Sequence, residues 1–539
     1  MGTKQYDSAT DLITFSRASK GTALRKVSYG PEVITNGGFD GSTGWGPFGS
    51  SEITNGQARI YSSDGGNSGI IQNNVLEIGK LYRCKLDVTN VVQGTNLREN
   101  YGQTLVEIPA NGEGPYTFTF KATSTSFGLK RSSGVTDIYV DNISVKEVTL
   151  DQAGGTLELF SHPDDIPRIE YDAAGVVKGL LIEENRTNLI TYSEDYSTNT
   201  SFQNVTITGG SAASPAGTIT ASLIERNSTS SSYVGKPASK ASSSLPFVFS
   251  IYAKKSVGSY FAMRIQGSYP GRVDVTFNLD TGAVSLGPTV ASGGSGAFSL
   301  ASATSVDCGN GWFRFILSAT TDASNSAISY VSFNSNNVVL DGTDSSADSA
   351  GFIWGSQVEA GAFPTSYIPT AGQARTRAAD VATIPTSAFG YNKEAGTVVC
   401  DFSMSFDGTN YPRVWEIGST INNQDRINLY GNAPDKRIGC GFLTANTGQA
   451  GFTLSTNNTI PTAQTKVAFA WEENNVAAVQ DGGTVQQDTS ATLKGGNPRT
   501  SMGLGYTTTF SSDIMNGHIK FIQYYPRRLT NAQLQELTT

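Results

Sequence analysis

Through almost its whole length the chain repeats one pattern. Runs of six to twelve residues, rich in β-branched and aromatic side chains, alternate with Gly, Asn, Asp and Ser turns. QARIYS (57–62), KLYRCKLDVTNV (80–91), YTFTFKAT (116–123), LPFVFSIYAKKS (245–256), YFAMRIQG (260–267), RVDVTFNL (272–279), GWFRFILSATT (311–321) and AISYVSFNS (327–335) are of this kind. Such runs have strand length and strand composition, and none shows a convincing 3.6-residue apolar period. A chain written this way has to fold as sheets, and sheets with one apolar face must pair face to face. The exception lies at the end, where Thr530 precedes Gln533 by three residues and Leu534 and Leu537 share a face. That spacing predicts a capping box and one short C-terminal helix.

Composition agrees with an all-β, multi-domain chain of β-sandwich or jelly-roll units. Of 539 residues 16% are charged, 38% are hydrophobic and 59 are Gly, with a net charge of -8. Disorder couples low hydrophobicity to high net charge, which is not the balance here. The length predicts three to four domains. The turns and composition shifts place them at 31–148, 186–370 and 380–539, with 1–30 and 149–185 as one small discontinuous β module or connector.

Several function classes recede. No stretch approaches the 18 apolar residues of a membrane helix, and the N-terminal residues carry neither a secretory pattern nor, with Tyr6 at the sixth position, a myristoylation pattern. An acidic pI near 5.1 without a Lys/Arg run gives little grip on nucleic acid. Cys84, Cys308, Cys400 and Cys440 form no C-x-x-C, and only Cys400 and Cys440 share an expected domain, which leaves one bridge open. The two histidines, His162 and His518, exclude a His-rich zinc site within one chain and are expected to be structural.

Sugar recognition needs flat aromatic surfaces with amides and carboxylates around them. Trp45, with Asn36, Asp40 and Tyr61 near it in sequence, is the local candidate in the first sandwich; burial of Trp45 in the core is the competing expectation. Tyr101 sits in a polar loop and is expected to be exposed. Arg264, Tyr269 and Arg272 around SYPGR suggest an equivalent loop in the second sandwich, or a plain hairpin. Glycoside cleavage would need paired carboxylates; Glu416 and Glu472, each after a tryptophan, are the candidates. For Glu183 and Glu184, a salt bridge or hydrogen bond from one of them to Arg186 is expected instead. Asp341, Asp344 and Asp348, and Asp141 with Asn142, offer oxygen ligands for a structural calcium, although the spacing fails the EF-hand pattern.

ITFSRAS (13–19), PRIEYD…GLLIEENRTNLITYSED (167–195), NGWFRF (310–315), WGSQVEAGAFPTSYIPT (354–370) and TRAAD (376–380), in that order, resemble tail-associated structural proteins of bacteriophages: tail fibre, minor tail or receptor-binding proteins. About 115 residues stand between the first two strings, and this insertion resembles a carbohydrate-binding module of the jelly-roll kind, through Gly44-Trp45 and the closing Asp141-Asn142-Ile143. Residues 380–539 resemble a laminin-G or legume-lectin-like (concanavalin A-like) sandwich without the acid-rich strand of its enzymes. The resemblance implies a virion component, a homotrimer among other tail or fibre proteins, and attachment to host-surface polysaccharide. A purely structural decoration or connector protein and a polysaccharide depolymerase are the two alternatives.

Overall fold

The computed structural model describes the chain except residues 1–11, 95, 100–104, 108–112, 294–295, 325, 406–409, 420–423, 433–436, 455–463, 494–495 and 509–512. The described residues are nearly all strand and turn, with antiparallel sheets throughout. They divide into two compact units: residues 24–163 with 213–219 form one, and the remaining described residues form the other.

The smaller unit is a sandwich of two sheets. In one, Gly114–Lys121, Leu81–Gln93, Thr136–Leu150, Gly21–Glu32 (from Leu24 on) and Thr156–His162 run side by side, with Gln57–Ser62 and Glu52–Thr54 added alongside Thr136–Leu150. The other contains Gly46–Phe48, Gly69–Gln72, Phe127–Arg131, Asn96–Glu99 and Leu105–Glu107. The period of two decides what lies between them: Ala58, Ile60, Leu86, Val88, Ile138 and Val140 point inward and are buried with Trp45, Tyr82, Phe120 and Phe127.

The larger unit holds two further sandwiches. The first packs Phe249, Ile251, Phe261, Met263, Val275, Phe277, Phe315 and Ile353 between a seven-stranded and a six-stranded sheet. The second is the C-terminal sandwich, with Trp415, Ile417, Leu429, Phe469 and Trp471 at its centre. Its two seven-stranded sheets recruit distant segments: Thr14–Ser16 pairs with Val381–Pro385, and Val177–Ile182 pairs with Asn516–Tyr525. The tract expected as one small module is therefore divided. Phe15, Leu180 and Ile182 bury their side chains in the C-terminal core, whereas Val27 and Phe160 pack within the smaller unit. Apolar surface on an edge strand is worth about 25 cal/mol per Å² wherever it is buried. The C-terminal helix, Asn531–Thr538, has its capping box: Thr530 Oγ1 accepts from Gln533 N, and the Gln533 side chain accepts from Thr530 N. Leu534 is buried and Leu537 packs beside it against Val399, Ala468 and Val479.

The strings 13–19, 167–185, 365–367 and 376–380 meet in one buried ionic cluster. Arg17 Nη1 lies 3.2 Å from Asp380, Arg168 bonds both Asp380 and, at 2.8 Å, Glu183, and Arg377 lies 3.5 Å from Glu183. Ser366 donates to Glu183 from its backbone N at 2.6 Å and from Oγ at 2.7 Å. Glu183 N and Asp380 N tie the two acid-bearing segments together, to Asp380 Oδ2 and to the Glu183 carbonyl, at 2.9 Å each. The side chains of Arg17, Arg168, Arg377 and Asp380 are fully buried. Burial, with Arg168 nearby, draws Arg17 down to about 10. Burial pushes the Glu183 carboxyl up, but Arg377, Arg168 and the two Ser366 hydrogen bonds outweigh it and hold it at about 2.

Removing one carboxylate from such a cluster strands buried cations, which costs on the order of 3–5 kcal/mol. Asp380→Asn is expected to lower the urea midpoint of the larger unit, while Lys393→Gln on the exposed surface leaves it unchanged. Because the folded pKa of Glu183 lies below its ordinary 4.5, its contribution is complete above about 4.5 and is lost as pH falls toward about 2. Urea titrations between pH 6 and 2 should show wild-type stability falling in that window, with Glu183→Gln less stable at pH 6 and flatter below 4.5.

Candidate ligand-binding faces

The strand Gln57–Ser62 alternates strictly: Ala58, Ile60 and Ser62 are buried, whereas Gln57, Arg59 and Tyr61 face outward. Thr136–Leu150 lies beside it with Arg59 opposite Tyr139 and Tyr61 opposite Asp137. Arg59 therefore lies among four outward neighbours. Its guanidinium grips Asp137 through Nε and Nη2, at 2.8 Å each, and reaches Glu52 at 3.2 Å. The same group lies 4.2 Å from the Tyr61 ring centroid and 5.5 Å from that of Tyr139. The hydrogen bonds to Asp137, opposed in part by desolvation and reinforced by Glu52, raise the Arg59 pKa further. Asn90 and Gln93 on the next strand stand exposed opposite Tyr139 and Asp137. The result is a half-exposed strip of ring, guanidinium and ring, held rigid by carboxylates and bordered by amides.

Of the residues proposed around Trp45, only Tyr61 joins this strip. Trp45 is a core residue, 6% exposed, with its ring 5.4 Å from Phe39 and 6.4 Å from Phe127. Its Nε1 donates to the Asn36 carbonyl at 2.9 Å, and Asn36, at φ 51°, bonds Gly41, Thr43 and the Asp40 amide through its side chain. The Gly44-Trp45 corner is thus a folding device, and the Asp40 carboxylate lies on exposed surface beside it. Tyr101 lies outside the described residues. Asp141 and Asn142 form a bulge, where Asn142 has φ 50° and bonds Asp87 at 2.8 Å.

An arrangement of the same kind occurs in the first sandwich of the larger unit. One row across its outer sheet face reads Gly235, Tyr330, Arg264, Asp274. Arg264 bonds Asp274 at 2.6 Å and Asp341 at 3.0 and 2.7 Å. Burial works against its charge, and Asp341 and Asp274 more than offset this. The Tyr330 ring lies flat over Gly235, where a Cβ has no room, and Tyr233 meets it edge-on with centroids 5.0 Å apart. Tyr269, 69% exposed, and Arg272, 5.6 Å from its ring, extend the face. The SYPGR turn is a hairpin as well as part of this face, since Tyr260–Gln266 and Arg272–Asn278 pair in full register.

This use of Asp341 separates the three expected calcium ligands. Asp341 is taken by Arg264; buried Asp344 accepts from Ser335 N at 2.8 Å and Ser349 Oγ at 3.0 Å; Asp348 is exposed. Among the described residues no three His, Cys, Asp or Glu side chains gather as metal ligands. The expected carboxylate pair also separates. Glu416 is fully buried on one sheet of the C-terminal sandwich, and Glu472 is exposed on the other, bonded by Asn475. Glu184 binds Arg186 at 2.7 Å, as expected, whereas Glu183 belongs to the buried cluster. His162 is enclosed beside Arg25, with 2.7 Å between Nη1 and Nε2, and His518 lies 2.7 Å from Glu170. All four cysteines are free, so Cys400 and Cys440 form no bridge; both are buried in the C-terminal core.

No family model matches the sequence, and no curated protein matches it. Solved structures match parts of the chain. The CBM40 of Ruminococcus gnavus IT-sialidase is 18% identical with a TM-score of 0.24, over 28% of this chain and 84% of its own. The CBM22-1-CBM22-2 tandem of Paenibacillus barcinonensis Xyn10C is 10% identical with a TM-score of 0.21, over 64% and 99%. Domains LG4-5 of the mouse laminin alpha1 chain are 10% identical with a TM-score of 0.18, over 62% and 91%.

Trp45→Ala should lower stability by about 3–5 kcal/mol, as large-to-small core changes do, while Tyr61→Ala should cost less than about 1 kcal/mol. Urea unfolding followed by fluorescence separates the two.

Proposed function

We propose that this chain binds neutral glycans through the outward faces of its sandwiches, as a component of a bacteriophage tail or fibre that meets host-surface polysaccharide. The observation that carries the binding is the Tyr61–Arg59–Tyr139 strip. Pyranose rings present flat C–H faces that stack on such surfaces, and exposed Asn90 and Gln93 supply donors and acceptors for hydroxyls. The strip is held in place before any ligand arrives, which reduces the ordering cost of binding. Asp137 and Glu52 already compensate the Arg59 charge, so the face has no spare cation for an acidic sugar. That selects neutral glycans. Individual contacts of this kind are weak, and repetition in a multimeric particle, three copies in the resembling proteins, would supply avidity.

A second reading has an observation of its own. Arg17, Arg168, Glu183, Arg377 and Asp380, from strings that resemble tail proteins, are committed to a buried ionic cluster, as expected of a decoration or connector protein without a ligand. The depolymerase reading loses the Glu416/Glu472 pair on which it was built, and the proposed function contains no hydrolytic step.

Full-length protein, fluorescently labelled, is applied to a neutral glycan array and to susceptible cells with and without extracted surface polysaccharide. Saturable, polysaccharide-competed binding that falls at least tenfold in Tyr61→Ala/Tyr139→Ala, with an unchanged unfolding midpoint, is expected. Equal binding by the double variant, or no binding by the folded wild type, overturns the proposal in favour of the structural reading.

A further inference from the structure

The core of the first sandwich in the larger unit reaches solvent along one edge. Two strands lie against each other there: Val284–Gly293, followed in the seven-stranded sheet only by Gly296–Ala297, and Ser299–Asp307, the last strand of the six-stranded sheet. Val284 stands opposite Phe277 and Val290 opposite Val273. Phe277 and Val273 are fully buried core residues, yet Val284 is 39% and Val290 42% exposed. On Ser299–Asp307 the residues opposite the core residues Leu317 and Phe315 are Ala303 and Ser305, whose short side chains leave the two valines open. Leu286, Leu300 and Val306 are exposed as well. Five of the 17 exposed large hydrophobic side chains among the described residues therefore fall within residues 284–306. Such side chains scattered singly need no explanation, whereas gathered on one edge they mark a contact.

Ser299–Asp307 pairs with Trp312–Thr320 on one side, and no described strand lies on the other. Proteins guard an open edge with Lys, Pro, an inward charge or a bulge. Val284–Gly293 has Pro288 and two register shifts. Residues 302–306 have none of these. The single register shift of that strand lies before Ser302, where Leu300 stands at φ 50°, a conformation unfavourable for a bulky side chain, and is 86% exposed.

What fits this edge follows from its own sequence. Turned end for end about Ala303, residues 300–306 (LASATSV) match themselves: Ser302 meets Thr304, Ala301 meets Ser305 and Leu300 meets Val306. Two identical strands paired antiparallel across a two-fold axis make that superposition. A two-fold also brings each residue near the axis close to its own copy, so a charge there would face a like charge. Residues 281–306 contain no charged side chain, in a chain of net charge -8.

We propose that Ser299–Asp307 is the contact through which two copies of this chain associate. The strands pair antiparallel about Ala303, so that the two six-stranded sheets continue into one another. Ser302 and Thr304 hydroxyls face each other across the joint, Leu300 and Val306 cover one another, and the open rim at Val284 and Val290 is closed. The contact is like-to-like and gives pairs, whereas a ring of three needs two different patches. It does not depend on whether the outer faces bind glycan.

The test follows the full chain by sedimentation equilibrium over a range of concentrations. A mass twice that of the 57.0 kDa chain is expected. Ser302→Lys and Thr304→Glu alter exposed, outward positions, and each alone sets two like charges diagonally across the axis. Each is expected to weaken association about tenfold or more, with the urea midpoint unchanged. Mixed in equal amounts, the two variants are expected to pair about as strongly as the wild type, because the new ammonium and carboxylate then stand directly opposite one another. A wild type that is monomeric at every concentration, a trimer, or a dimer that both variants retain overturns the proposal. Variants that dissociate alone and fail to pair when mixed also overturn it, since the strands would then not meet about Ala303.

Discussion

Three arginines and two carboxylates, their side chains buried, hold the larger unit together. Arg17, Arg168, Glu183, Arg377 and Asp380 come from segments separated by up to 363 residues. Each brings its strand with it. Arg17 follows Thr14–Ser16, Arg168 opens Arg168–Tyr171, Glu183 follows Val177–Ile182, and Arg377 closes Arg375–Arg377. An ion buried in this way is tolerated only if its partners are all in place, so the cluster penalises any arrangement in which one strand is missing or out of register. Hydrophobic burial supplies the larger share of stability, but apolar strands are poor at choosing among similar edges. The cluster makes that choice.

On the outer surfaces a different rule recurs. In three sheets an arginine stands directly across from a tyrosine on the next strand: Arg59 and Tyr139, Arg264 and Tyr330, Arg413 and Tyr430. In each case carboxylates fix the guanidinium. Cross-strand pairs of this sort stabilise a sheet by fractions of a kcal/mol and also hold the ring beside the guanidinium. Stability and a prepared aromatic surface come from the same pair. The three differ in what surrounds them: amides beside Tyr139, a perpendicular ring beside Tyr330, and glycines beside Tyr430.

The sheet architecture and the terminal helix were legible because they depend on local signals, alternation and capping, that need no knowledge of partners. The destination of each strand was not. Nothing local in GLLIEE tells that it pairs with residues 517–519, because the choice is made by the buried cluster and by which face is left to cover. The candidate site was half legible for the same reason. Tyr61 and Arg264 stood out by residue type, whereas Arg59 and Tyr139 become neighbours only once the register is set. Trp45 misled because a large aromatic beside Asn and Asp looks the same in sequence whether it faces solvent or core.

The pairing of Thr14–Ser16 with Val381–Pro385, and of Val177–Ile182 with Asn516–Tyr525, has a consequence during synthesis. A ribosome adding about 5–20 residues per second needs roughly 20–70 s to pass from Arg17 to Asp380. Throughout that time the first strand has emerged without its partner, and the strand at 177–182 waits in the same way for residues 517–519. The larger unit can therefore close only after Asn516–Tyr525 has been made. The smaller unit, whose strands all lie within the first 219 residues, can fold while the rest is still being made.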